Sequence, residues 1–168
     1  CVSGLSSFHV GDMTRAQEMY EKSPAAAVAL HGRLSPLASM PALLLAELHY
    51  ERNELAEARA LFGDYLDIAH GLGFVDKLIA GYTTKARLEA SEGQHELAQR
   101  TLDDAERTAR VTGFARLLAH VANERLRQSL LRGELELVIE QARQAELSGS
   151  CINLQPREGV TSYEETLA

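Results

Sequence analysis

Apolar side chains recur along the middle of the chain at the three- and four-residue spacing of amphipathic helices. One stripe between residues 75 and 92 is made of Leu78, Ile79, Tyr82, Ala86 and Leu88, and a second between 94 and 111 is made of Leu97, Ala98, Leu102, Ala105 and Ala109. This spacing places each set on one face of an α-helix. Gly93 separates the two stripes, and glycine is the usual residue just beyond a helix C-terminus. The pattern therefore predicts two antiparallel helices joined by a short turn.

The predicted helix pair belongs to a pattern that repeats every 40 residues. The six residues that begin at Asn53, Gly93 and Gly133 read NELAEA, GQHELA and GELELV, and Gly73-Phe74 recurs as Gly113-Phe114. Two separate markers share one period, which indicates a stacked array of helix pairs. Arrays of this kind mostly bind partners along an extended surface. The repeat therefore favours recognition over catalysis.

The repeat boundaries follow from these markers. We predict one domain over residues 1–168, with full repeats at about 36–73, 74–113 and 114–150. A partial repeat precedes them at 1–35, and the start of a further helix follows at 161–168. The predicted fold is all-α, a right-handed superhelical array of antiparallel helix pairs.

Prolines make the N-terminal part less regular. Ser23-Pro24 and Ser35-Pro36 each look like a helix start, because serine caps helices well and proline fits the first helical position. Pro41 would remove a hydrogen bond from a helix that began at Pro36. The start of that helix therefore stays open.

Small and large apolar residues alternate at fixed places in the repeat. The places are Ala46 and Ala86 in the first helices, Ala58 and Ala98 in the second helices, and Phe62 and Leu102 further along. This combination resembles the tetratricopeptide repeat. The third unit departs from it, with Leu126 and Val138 where small residues are expected. The 40-residue period also exceeds the usual period of about 34, which implies longer helices.

The stretch from Leu45 to Ala58, LAELHYERNELAEA, resembles the repeats of bacterial transcriptional regulators of the MalT type, in the LuxR-related group. The resemblance covers about residues 40–147. It implies a sensor or protein-interaction domain that lies between a nucleotide-binding module and a helix-turn-helix, neither of which is recognisable in this sequence. The alternative is a peptide- or protein-binding scaffold that is unrelated to transcription.

The resemblance also implies a binding groove lined by the first helix of each pair. The predicted groove residues are Glu47 and Tyr50, Thr83 and Arg87, and Asn123 and Arg127. Arg87 and Arg127 lie one repeat apart, so they are expected to face the same way on neighbouring helices. Two guanidinium groups there can hold a carboxylate, a phosphate or an acidic peptide. In the alternative interpretation the two arginines pair with Glu47, Glu89 or Glu124 and bind nothing else.

Composition and motifs do not favour nucleic-acid binding, a membrane span, a metal site or catalysis. The net charge is −7, and acidic residues are interleaved with the arginines, so direct nucleic-acid binding by this segment is not expected. No apolar run approaches the roughly 20 residues that span a bilayer. The six histidines show no metal-ligand spacing, and no motif indicates an activated nucleophile. We expect no metal, cofactor or catalytic site, and a small-molecule effector or a protein or peptide as partner, with homo-oligomerisation left open.

The two cysteines, Cys1 and Cys151, form neither a disulfide framework nor a metal motif. A reducing compartment fits this best, so a cytoplasmic location is expected. The chain begins at Cys1 without methionine and shows no signal peptide. We expect an excised fragment or a processed product, with a mature lipoprotein as the less favoured alternative.

Overall fold

The structure, a computed structural model, describes residues 2–31, 36–69 and 74–147, and the elements in these ranges are eight α-helices. They are α1 Val2–His9, α2 Met13–His31, α3 Pro36–Glu51, α4 Leu55–Tyr65, α5 Val75–Ser91, α6 His95–Thr112, α7 Ala115–Leu131 and α8 Leu135–Leu147. Consecutive helices pack in pairs, and α5 also packs against α3 on one side and α7 on the other. The predicted all-α array of helix pairs is confirmed. The helix predicted at 161–168 lies outside the described residues.

The 40-residue period of the sequence is also the period of the helices. The second helices α4, α6 and α8 begin at Leu55, His95 and Leu135. The first helices α5 and α7 begin at Val75 and Ala115. Because these starts are all 40 residues apart, a residue in one pair has its structural equivalent 40 positions further on. This equivalence is used below to compare successive interfaces between the pairs.

The turns between the paired helices depend on left-handed backbone. Gly93 has a φ of 78°, as predicted for a residue just past a helix end, and Asn53 has a φ of 61° at the equivalent turn. Glycine adopts this conformation without steric cost, and asparagine is among the residues that tolerate it best. The same kind of turn therefore recurs even though the residue changes.

Small side chains bring the paired helices close together. Ala46, Ala58, Ala86 and Ala98 are fully buried in the main core. Phe62 and Tyr65 are buried in the same core, as their spacing predicts, together with Leu102 at the position equivalent to Phe62. In the last pair Leu126 and Val138 take the places of alanines and form a separate small cluster with Leu130 and Ala142.

The predicted helix start at Ser23-Pro24 is wrong. Helix α2 runs without interruption from Met13 to His31 and includes both residues. An interior proline costs a helix one N–H donor but does not forbid the helix from continuing. Three alanines follow Pro24 directly, and alanine has the highest helix propensity of all residues. The strong helix formers after the proline therefore outweigh the local signal for a start.

Helix α3 is described from Pro36 onward, and the residues just before it lie outside the described ranges. Pro41 lies inside this helix and is buried. The Ser39 hydroxyl donates a hydrogen bond to the carbonyl oxygen of Pro36 at 2.7 Å in the first turn. Helix α3 thus continues through Pro41 to Glu51 without interruption.

Lys77 is an unusual member of the interior. It lies in the first turn of α5 and is fully buried. Its Nζ donates a hydrogen bond to Ser39 Oγ on α3 at 3.3 Å. Burial lowers the pKa of Lys77, because the charged ammonium loses its hydration. Burying Lys77 in the interface between α3 and α5 therefore reduces the stability of the fold.

We expect Lys77→Met to stabilise the fold at pH 7 by on the order of 1 kcal/mol, because an apolar side chain of similar length removes the cost of burying an ammonium. The folded-state pKa of Lys77 lies below the unfolded value of about 10.4. Between these two values the unfolded chain binds more protons, so the stability of the wild type rises with pH. The advantage of the variant should therefore shrink as the pH approaches the unfolded pKa. Urea unfolding followed by circular dichroism at neutral and alkaline pH measures it, and an advantage that does not change with pH would contradict this account.

Candidate partner-binding groove

Three stacked helices carry the residues predicted to line the groove. Helix α3 carries Glu47 and Tyr50, α5 carries Thr83 and Arg87, and α7 carries Asn123 and Arg127. Since α3 packs on α5 and α5 packs on α7, residues that are 40 positions apart follow one another across the array. Glu47, Arg87 and Arg127 form one such series.

Arg87 and Arg127 meet at one buried carboxylate. The side chain of Glu124 on α7 is only 1% exposed. Its Oε2 accepts a hydrogen bond from Arg87 Nε at 2.7 Å, and its Oε1 lies 3.3 Å from Arg127 Nη1. The same Oε1 accepts from Gln128 Nε2 at 3.2 Å. Two cations therefore share the Glu124 carboxylate, and Glu51 lies near Arg87 as a further acid.

Both arginines still reach the surface. The side chain of Arg87 is 25% exposed and that of Arg127 is 41% exposed. Burial disfavours the charged form of Arg87, but attraction to Glu124, with smaller contributions from Glu47 and Glu51, outweighs it and raises the pKa of the guanidinium. Arg87 Nη1 lies 3.9 Å from Glu51 Oε1. The guanidinium is therefore fixed in place with its charge kept.

The other predicted groove residues differ in what they offer a partner. The hydroxyl of Thr83 donates to the carbonyl oxygen of Ile79 at 2.7 Å, and Thr83 is buried. Tyr50 is partly buried and packs against the main core. Glu47 and Asn123 are half-buried. A binding role for the six predicted residues stays a prediction, which Arg87 and Arg127 support most directly by their geometry.

The sequence analysis named Glu124 as a pairing partner for an arginine and did not identify it as the centre of the site. A signal was present, because Glu124 continues the apolar stripe of Leu117 and Val121 at helical spacing, and both of these residues are fully buried. An acidic side chain at a buried position of a helix needs charged or polar partners. Gln128, one turn further on, is buried as well and links Glu124 to Gln99 of α6, whose Nε2 lies 3.4 Å from Gln128 Oε1.

Within residues 2–31, 36–69 and 74–147, no three His, Cys, Asp or Glu side chains come together as a metal site would require. No described helix combines the length and the apolar character that crossing a membrane requires.

Comparisons with known proteins identify related sequences. A family model described as "MalT-like TPR region" matches residues 4–163. The serine/threonine-protein kinases PknK of Mycobacterium tuberculosis, strain ATCC 25618 / H37Rv, and of Mycobacterium bovis are each 34% identical to this chain over 127 residues. The match covers 76% of this chain but 11% of each kinase, so the chain spans only a small part of the length of these curated relatives. No solved structure matches the chain significantly.

Proposed function

Because the chain belongs to the family of MalT-like TPR regions, we propose that it is the sensor and partner-binding segment of a larger bacterial transcriptional regulator of the LuxR-related, MalT type. A TPR region is a protein-interaction repeat. In this proposal the segment is not an enzyme and acts in the cytoplasm, where two cysteines without a disulfide framework are expected to stay reduced. An effector or partner binds the groove and changes how the array sits against the rest of the regulator.

One observation carries the binding part of this proposal. Arg87 and Arg127 converge on Glu124, and both guanidinium groups stay partly exposed to solvent. A guanidinium has five N–H donors in a planar fork, so contact with one carboxylate leaves capacity for a second acceptor. The acceptor that fits best is an acidic group of a partner, such as a carboxylate or a phosphate.

The named relatives favour a second candidate for the larger protein. They are serine/threonine-protein kinases, and their matched part is about as long as the array described here. The array would then recruit a substrate or a regulator for a kinase domain elsewhere in the chain. The neighbouring coding sequence distinguishes the two candidates. A kinase domain upstream favours the kinase. A nucleotide-binding module upstream and a helix-turn-helix downstream favour the transcriptional regulator. A scaffold unrelated to transcription would have none of these modules.

The groove is tested with a fluorescein-labelled hexaglutamate peptide as the probe. We expect Arg127→Gln to weaken binding about tenfold or more, because one charge-assisted hydrogen bond to the partner is lost. Arg107→Gln is the matched control, since Arg107 lies on the surface of α6, where it pairs with Asp104, and carries the same charge. Fluorescence polarisation measures both. Equal weakening by the two variants would show that only overall charge matters, and the groove assignment would then be wrong.

The regulatory role is tested in the full-length parent protein. We expect deletion of residues 36–147, or Arg127→Gln alone, to change the response of the parent's activity to its inducing condition. The measurement is promoter activation in cells, with Arg107→Gln again as the control. A response that survives the deletion unchanged would refute the sensor role, whatever the result with the peptide.

A further inference from the structure

A second concave region lies on the other side of α5 from the groove. It is a cavity of about 440 Å³ between α4, the C-terminal half of α5 and the start of α6. Its residues on α5 include Lys85 and Leu88. Residues two apart on a helix are related by a rotation of about 200° about the helix axis, so Lys85 and the groove residue Arg87 face opposite sides. We call this cavity the α4–α6 cleft.

The equivalent cleft one repeat later is bridged by ion pairs. Arg125 on α7 donates to Asp103 Oδ1 at 2.7 Å and to Glu106 Oε2 at 2.5 Å, and both acids lie on α6. Hydrogen bonds from Arg125 and Arg110 lower the pKa of Glu106, so this carboxylate stays ionised. One arginine thus ties the first helix of the last pair to the second helix of the pair before it.

The α4–α6 cleft lacks this bridge because the two acids of α6 have no equivalents on α4, where Arg59 pairs with Glu92 at the end of α5 instead. Forty residues before Asp103 and Glu106 the chain has Gly63 and Leu66, and Lys85 stands in the place of Arg125. Lys85 Nζ lies instead 3.6 Å from Glu89 on its own helix. An added Cβ at Gly63 would meet no atom within 4 Å. The glycine therefore leaves open space where the next repeat has an ion pair.

The cations around the cleft are more exposed than the acids that pair with them. The side chains of Arg59 and Lys85 are 57% and 37% exposed. Glu92, the partner of Arg59, is 28% exposed, and Glu89, the partner of Lys85, is 8% exposed and accepts a hydrogen bond from the Thr101 hydroxyl at 2.7 Å. A ligand carboxylate can therefore reach the guanidinium and the ammonium from the solvent side while each keeps its acid on the inner side.

The remaining lining of the cleft is apolar. Phe62 and Leu88 are part of the main core and form the floor, and Leu97 of α6 stands at the edge with an exposed side chain. Ligand pockets usually combine an apolar lining with a few placed polar groups and enclose about 300–1,000 Å³. The volume and the composition of the α4–α6 cleft both fit this description.

We propose that the α4–α6 cleft binds a carboxylate that carries an adjacent aliphatic or aromatic group. The carboxylate lies against Lys85 and Arg59, and the apolar group covers Phe62, Leu88 and Leu97. A free small acid and the C-terminal residue of a peptide share this chemistry. The site is separate from the groove of Arg87 and Arg127, so its existence does not depend on the function proposed above.

The ligand class is tested with N-acetyl-L-leucine on the 168-residue chain, by titration calorimetry or by chemical-shift changes in NMR spectra. The matched control is N-acetyl-L-leucinamide, which differs only in the carboxylate. We expect the acid to bind at least tenfold more tightly than the amide, as the loss of one charge-assisted contact implies. A tetrapeptide that ends in leucine distinguishes the two sources of the ligand. Tighter binding than that of N-acetyl-leucine indicates a peptide C-terminus, and equal or weaker binding indicates a free acid. Equal binding of acid and amide, or no binding at millimolar concentration, would overturn the proposal.

The place of binding is tested with Gly63→Asp, which gives Lys85 the acid that Asp103 gives to Arg125. We expect this variant to fold, because the added side chain enters open space, and to bind N-acetyl-leucine at least tenfold more weakly. Gly63→Ala is the matched control and should bind like the wild type. Lys85→Gln is a second variant on the rim and should also weaken binding, which keeps the test decisive if Gly63→Asp does not fold. Binding that survives in the folded variants would place the ligand elsewhere.

Discussion

Replacing Glu124 with alanine is expected to destabilise the folded chain by about 2–4 kcal/mol, because it breaks a buried ion pair and leaves the partners in place. Arg87 would keep its charge at a partly buried position without its closest acceptor, and Gln128 would lose an acceptor for its buried amide. The partial exposure of Arg87 lets water reach it, which keeps the loss below that of a fully enclosed pair. Urea unfolding at neutral pH measures the change in free energy.

Two controls separate the contribution of the charge from that of the side-chain volume. Glu124→Gln keeps the size and one acceptor oxygen, so it should lose less stability than Glu124→Ala. Glu96→Ala removes an almost fully exposed acid from α6 and should change the free energy of unfolding by less than about 0.5 kcal/mol. If Glu124→Ala unfolds at the same urea concentration as the wild type, Glu124 is not the centre of a buried network.

Replacing Leu102 with alanine is expected to cost about 2–5 kcal/mol, the range for removing a fully buried leucine side chain from a close-packed core. Leu102 is 0% exposed and belongs to the core that α3 to α7 share. The loss combines the transfer of the removed methyl groups with the cavity that the surrounding helices cannot close. Leu97→Ala on the same helix is the control, since Leu97 is exposed and should lose much less. Similar losses for the two variants would show that α6 is not oriented as described.

The sequence was sufficient to predict the helix pairs because their causes are local and repeated. Apolar spacing sets the buried face of each helix, and Gly93 or Asn53 sets the turn, so the same solution appears every 40 residues. The predicted helix start at Pro24 was wrong because a local start signal competes with the helix propensity of the residues after it. The balance between these two effects is not visible in a motif.

The candidate site was only partly predictable. The period alone places Arg87 and Arg127 on neighbouring helices, but the position of Glu124 between them depends on how α5 and α7 pack. Thr83 was predicted as a groove residue, yet its hydroxyl bonds within α5, which serine and threonine commonly do in helices. The α4–α6 cleft is visible only when Gly63 is compared with Asp103 and the contact of Arg125 is known.

The ion pairs of Arg125 also bear on the mechanics of the array. They join α7 to α6, whereas Gly63 and Leu66 leave the equivalent joint between α5 and α4 without that contact, and Arg59 pairs with Glu92 there instead. The two joints are therefore held by different ion pairs. An occupant of the α4–α6 cleft would contact both sides of the joint between α4 and α5. We expect its binding to change the angle between the α3–α4 pair and the α5–α6 pair.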